Sequence, residues 1–146
     1  VEEAREMLLK TIEDGSALVK LKEFIGAQGG NTEQVDNPDL LPKAKYVVEV
    51  KSDREGYVSK IHSENIGLIA MELGAGRATK DEKIDLAVGI VLNKKSGDRV
   101  EQGDVIAYIH SNKESDIEKA SRDILRNYEI TYEYDSVIPL IYDVIR

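Results

Sequence analysis

The sequence predicts an α+β fold in which a helical hairpin leads into a strand-rich domain. Three observations predict it. Apolar residues recur at helical spacing as far as about residue 28, a polar stretch marked by prolines follows, and beyond residue 46 the pattern turns to β-branched runs and alternation.

In chain order, Val1, Ala4, Met7, Leu8 and Ile12 share one side of a helix over 1–14, with Glu2, Glu3, Arg5 and Glu13 outside. Asp14-Gly15 ends it, and Ser16 is placed to cap a second helix carrying Leu18, Val19, Leu21, Phe24 and Ile25. That helix runs out at Gln28-Gly29-Gly30, so residues 1–29 form a hairpin with an apolar side still to bury. Residues 30–45, with Asn37-Pro38 and Leu41-Pro42, read as a linker, and 46–146 as the second domain. There Tyr46–Val50 and Gly56–Ile61 read as strands joined by a turn. Ile66, Ile69, Ala70 and Leu73 share a helical face over 64–73, with Gly74 as terminator. Leu86–Leu92 reads as a buried strand and Val105–Ile109 as another. Ser115 with Glu118 has capping-box spacing and opens a helix with Ile117, Ala120, Ile124 and Leu125 inside. Residues 129–134 alternate as a half-buried strand, and the apolar tail around Pro139, from Val137 to Ile145, fits helix or strand equally.

The 28 Asp and Glu against 20 Lys and Arg give a net charge of −8, with no strongly basic stretch. No nucleic-acid partner and no membrane partner is expected, because neutralising phosphates needs clustered cations. Cysteine is absent, which removes disulfides, thiolate metal sites and thiol nucleophiles together. With no long apolar run and no signal pattern, the simplest compartment is cytoplasmic. A helix pattern that starts at Val1, without initiator Met or cap, is expected of a piece of a longer chain.

Few residues offer chemistry. Leu73-Gly-Ala-Gly-Arg77 could present amides and a guanidinium to a phosphate, yet its glycines follow a helix, where the dipole repels anions, and its spacing fits no phosphate-loop motif. A structural cap with a buried Arg77 ion pair is the expectation. His62 and His110, each beside a serine (Ser63, Ser111), could act as bases, but no nucleophile elbow accompanies them. Structural hydrogen bonds at strand ends are expected for both. Glu2-Glu3, Asp81-Glu82, and Asp116 with Glu118 read as solvated charges. No catalytic, cofactor-binding or metal-binding residue is therefore assigned.

The most informative loop is Gly97-Asp-Arg-Val-Glu-Gln-Gly-Asp104. Two Gly-Asp turns six residues apart let the chain turn twice between short strands, as small sandwich barrels require. Locally it resembles biotin- and lipoyl-carrier domains. A carrier also needs a modifiable lysine at a hairpin tip, and Lys80 and Lys83 lack that setting. A carrier and a free-standing interaction module are the alternative readings.

An ordered series of segments resembles the C-terminal part of the pyrimidine-nucleoside phosphorylase family, which includes thymidine phosphorylase. It runs from Gly15-Ser-Ala with Phe24 and Gln28-Gly-Gly30, through Gly56-Tyr-Val, to Ile66-Gly67 and Leu73-Gly-Ala-Gly-Arg77. Val88-Gly-Ile90, Gly97-Asp98 with Val100, Gly103-Asp104 and Ile109-His110 complete it. The resemblance implies an α+β domain built around a barrel-sandwich hammerhead, with flanking helices, preceded by a hairpin that ends the parent's α/β domain. It implies a parent that splits pyrimidine nucleosides with phosphate into free base and (deoxy)ribose 1-phosphate, and that dimerises through a helical domain. The family's phosphate-binding and base-binding residues, and the potassium site of some members, lie upstream, so the resemblance places none of them here. The implied partners are the upstream domains of the same chain, and the fragment alone is expected to be inactive.

Overall fold

Helix α1 (Glu2–Glu13) carries Glu2 and Glu3 in its first turn and Lys10 in its last, the polarity a helix dipole favours. The structure is a computed structural model that describes residues 1–77, 79–134, 139 and 141–145. The chain divides into two compact units, Val1–Pro42 and Lys43–Arg146.

In the first unit the Asp14 carboxylate, not Ser16, caps helix α2 (Ser16–Ala27), accepting the Ser16 N–H at 2.9 Å. At its far end Gly30 N–H donates to the Ile25 carbonyl (2.9 Å) and Gly29 N–H to that of Gly26 (3.0 Å), the paired bonds of a Schellman stop. The prolines and asparagines that follow build one turn of helix, α3 (Glu33–Asp36), and a 3₁₀ turn at Pro38–Leu40. Asn31 and Asn37 each accept a backbone N–H two residues on, at 3.0 and 3.2 Å. None of these helices contains a buried residue.

The second unit is built on antiparallel strands. Among the described residues they form two three-stranded sheets and no closed barrel. Sheet one has the order β1 (Tyr46–Lys51), β5 (Val105–Ser111), β3 (Gly89–Leu92). Sheet two has the order β4 (Arg99–Val100), β2 (Gly56–Ile61), β6 (Tyr128–Thr131). Helix α4 (Ser63–Ala70) runs into a π-turn over Met71–Ala75, and α5 (Ile117–Arg126) precedes β6. The core joins both sheets to both helices through Val50, Ile109, Val58, Val100, Ile66 and Ile124.

The Gly-Asp pair stitches the sheets together. In the turn Lys95–Asp98 and again in Glu101–Asp104, the Asp N–H bonds to the carbonyl three residues back (3.0 Å each). The same Asp carboxylate accepts that residue's N–H, at 2.7 and 3.2 Å. Gly97 and Gly103 sit at φ 95° and 94°, open to glycine and costly for side chains. Gly97 N–H then donates to Val58 of β2 (2.8 Å), and Gly103 N–H to Ser52 at the end of β1 (2.9 Å).

Three local expectations are corrected. Leu86–Val88 is not strand: the Asp85 carboxylate accepts the Ala87 N–H (3.0 Å), the chain turns there, and Leu86 stands 79% exposed. The capping box does not form, because Ser115 lies inside a 3₁₀ turn (Glu114–Asp116) and its hydroxyl donates to Asp116 (2.8 Å). The last strand stops at Thr131, three residues short. In the tail, Val137, Ile138 and Leu140 lie outside the described residues, and 141–145 form no regular element.

Candidate functional site

The glycine-rich segment is where the fold departs most from regular geometry. α4 leaves its helix through the π-turn, with Gly74 at φ 108°, and the Gly74 carbonyl accepts the Asp85 N–H at 2.9 Å, closing the loop between them. Arg77 lies on this loop, exposed and without an ion pair among the described residues, so the expected buried pair is overturned. The loop is held instead by Asp85, a residue the sequence reading passed over. Its carboxylate also accepts from Asn112 Nδ2 (2.7 Å), whose Oδ1 accepts the Lys45 N–H (2.8 Å). Hydrogen bonds from the Ala87 N–H and then Asn112 hold the Asp85 carboxyl below its ordinary value. The local Asp-x-Ala spacing was the only available signal; Asn112 and Lys45 are remote in sequence.

The two histidines are not brought to a common nucleophile. His62, at the start of α4, places Nε2 2.6 Å from Glu129 Oε1 on β6. Beside it Asn65 Nδ2 donates to Asn127 Oδ1 at 2.8 Å. The Ser63 hydroxyl donates to the Ile61 carbonyl (3.4 Å) and that of buried Ser111 to the Lys113 carbonyl (2.9 Å). His110 is half-buried in the middle strand of sheet one, across from Val47 and Gly89. Asp81, Glu82 and Glu118 are exposed; Asp116 is half-buried. Among the described residues, no group of three or more His, Asp or Glu side chains is placed to hold a metal ion. Lys80 and Lys83 lie between the π-turn and β3, not at a hairpin tip.

The concave surfaces follow the same logic. A cleft of about 190 Å³ between the π-turn and α5 is lined by Ile69, Leu73 and Ala120 and by the Glu72–Lys119 ion pair. A more open one, about 420 Å³, gathers Arg54, Arg122 and Arg126. Each has a carboxylate beside it: Asp53 at 2.8 Å, Glu118 at 3.8 Å and Asp123 at 3.5 Å, so the local charge cancels. A third, about 250 Å³, lies against β3 beside His110.

This is an α+β module whose described polar side chains close turns and tie loops together. Residues 57–131 match the family described as "Pyrimidine nucleoside phosphorylase C-terminal domain", and the chain belongs to that family. It is 47% identical over 145 residues to the pyrimidine-nucleoside phosphorylase of Geobacillus stearothermophilus, covering 99% of this chain and 33% of that protein. Against the pyrimidine-nucleoside phosphorylase of Staphylococcus aureus (strain bovine RF122 / ET3-1) it is 52% identical over 114 residues, covering 78% and 26%. The chain thus spans a third or less of the length of the curated relatives it matches.

Proposed function

We propose that this chain is the non-catalytic C-terminal part of an enzyme that splits pyrimidine nucleosides with phosphate, giving a free base and (deoxy)ribose 1-phosphate. The observation that carries the reading is the 47% identity along nearly the whole chain to a third of a protein of that name. In this reading residues 1–29 close the α/β layer that holds the nucleoside, 30–45 form the linker, and 46–146 form a barrel-sandwich hammerhead domain. The two sheets stitched by the Gly97 and Gly103 turns support the hammerhead assignment. The apolar side of the hairpin, exposed at Met7, Leu8, Ile12, Leu18, Val19 and Phe24, supports a covering partner within the same polypeptide.

No catalytic residue is assigned to this stretch. Phosphate, nucleoside and any potassium ion bind ahead of it, in a cytoplasmic enzyme that dimerises through its helical domain. The role of the domain is to support the wall of the cleft and to set the hinge about which the phosphate-binding domain closes. Phosphorolysis of uridine and thymidine, followed by base release, tests the assignment. The longer polypeptide should release base and the 146-residue chain should not. Activity in the short chain overturns it. Removing residues 44–146 from the longer polypeptide should lower both kcat and Tm, and unchanged values would end the hinge role.

A further inference from the structure

We propose that the outer face of sheet one, together with the edge of β3 that no other described strand pairs, is a second docking surface for the polypeptide that precedes this stretch in the longer enzyme. The inference rests on the functional reading above and adds where, on the C-terminal unit, the rest of the chain is received.

The register defines the face. Past the bulge at Val50/Lys51, Ile106 is buried and the outer face ends; before it Val50 and Ile109 point into the core, so the alternate residues point away. Those form two rows across the sheet, Val47–His110–Gly89 and Glu49–Tyr108–Val91. Val47 and Val91 are exposed on it.

The two edges of the sheet differ. β1 carries Glu49 and Lys51 as an ion pair (3.2 Å), the charged guard that keeps an edge from recruiting other strands. β3 reads Gly-Ile-Val-Leu and carries neither charge nor proline. Asn93 N–H bonds to Ile106 at 2.8 Å, and by alternation the backbone groups of Ile90 and Leu92 face outward, away from β5. Gly89 adds room: a Cβ there would meet nothing within 4 Å, and the 250 Å³ hollow against β3 lies alongside. Its own backbone, at φ 154°, already accounts for the glycine, so what the position adds to the face is open space.

The occupant follows from length and charge. The family is that of a C-terminal domain and the chain spans 33% of a relative, so most of such a polypeptide lies ahead of this stretch. It is tethered and present at high effective concentration. A second copy would bring another net charge of −8 to the same surface.

Hydrogen exchange on the longer polypeptide and on the 146-residue chain tests this. Amides in 84–92 should exchange at least about ten-fold slower in the longer polypeptide, at any protein concentration. Val91→Lys, on an exposed position, should restore fast exchange there and leave the melting of the short chain unmoved; Val47→Lys, on the same face, should do likewise. Equal exchange in the two chains overturns the proposal, and so does protection that grows with concentration, which would assign the face to a second copy. Phosphorolysis by the same longer polypeptide keeps the two readings apart. An active enzyme with unprotected 84–92 sinks the docking surface alone, and a protected but inactive one sinks the functional reading alone.

Discussion

The hairpin of α1 and α2 and the sheet-built unit use the same aliphatic residues to opposite ends. Leu8 and Ile12 are 67% and 71% exposed, whereas Ile106 and Ile124 are 0% exposed. Both helices of the hairpin have apolar faces and sound stops, yet neither buries a residue. Helical spacing therefore specifies the conformation, and burial needs a second surface that spacing does not supply. Helices of 12 residues are marginal in water by themselves, since most helical stability in proteins comes from packing. The second unit meets that requirement internally, with α5 placing Ala120 and Ile124 against the sheets.

The sharpest way to break this comparison is a matched pair of truncations. Ile124→Ala should cost about 2–5 kcal/mol, the range for a large-to-small change in a packed core. Leu8→Ala should cost less than about 0.5 kcal/mol in the same chain, as expected for an exposed site. All seven tyrosines lie at or beyond residue 46, so the tyrosine signal near 280 nm during urea unfolding follows the second unit. A Leu8→Ala loss equal to that of Ile124→Ala would erase the distinction.

A second test asks whether the unit depends on its stitches as well as its core. Gly97→Ala and Gly103→Ala each force a side chain to φ near 95°, which should cost about 1–2 kcal/mol. The two are not equal. A Cβ at Gly97 would stand 3.3 Å from a Tyr134 ring carbon, while one at Gly103 meets nothing within 4 Å. Gly97→Ala should therefore be the more destabilised of the two by urea midpoint, and the reverse order would refute the assigned strain.

What could be read ahead of the structure was what neighbours in sequence decide. Gly56–Ile61 is a strand as its alternation requires, and the Gly-Asp turns close on their own carbonyls and carboxylates. Remote partners were not legible. Leu86 to Val88 are as apolar as a strand, but Asp85 turns them, and Asp85 is itself held by Asn112 after β5. Capping-box spacing at Ser115 lost to a 3₁₀ turn one residue deeper. Strand β4, two residues long, exists only because Gly56 and Tyr57 pair with it. At the candidate site, the helix-end glycines predict a structural cap with a buried Arg77 pair, yet Arg77 is exposed, because the contacts that close its loop come from Asp85 and Asn112, remote in sequence.

Tyr128 offers a smaller effect at neutral pH than either glycine and the one with the clearest sign. It is buried, and its hydroxyl is shared between the Lys94 and Ile106 carbonyls, both at 3.2 Å, joining β6 to the sheet-one turn. Tyr128→Phe should cost only about 0.5–1.5 kcal/mol at pH 7, the net worth of an ordinary hydrogen bond. The Ile106 carbonyl keeps the N–H groups of Asn93 (2.8 Å) and Lys94 (3.1 Å), so it is not orphaned. Burial, reinforced by the negative charge of Asp98, pushes the hydroxyl up to about 12 from an ordinary 10.0. Below pH 10 both folded and unfolded states hold the proton, and the shift contributes nothing. Between pH 10 and 12 the unfolded chain ionises first, the folded state binds more protons, and stability falls as pH rises, by up to about 2–3 kcal/mol. The Tyr128→Phe variant has no such proton to lose, while lysines and the other tyrosines titrate alike in both chains. The stability gap between wild type and Tyr128→Phe should therefore narrow from pH 7 to pH 11 and then invert. A gap that stays constant over that range would mean the hydroxyl is not confined in a core of the kind this unit has and the hairpin lacks.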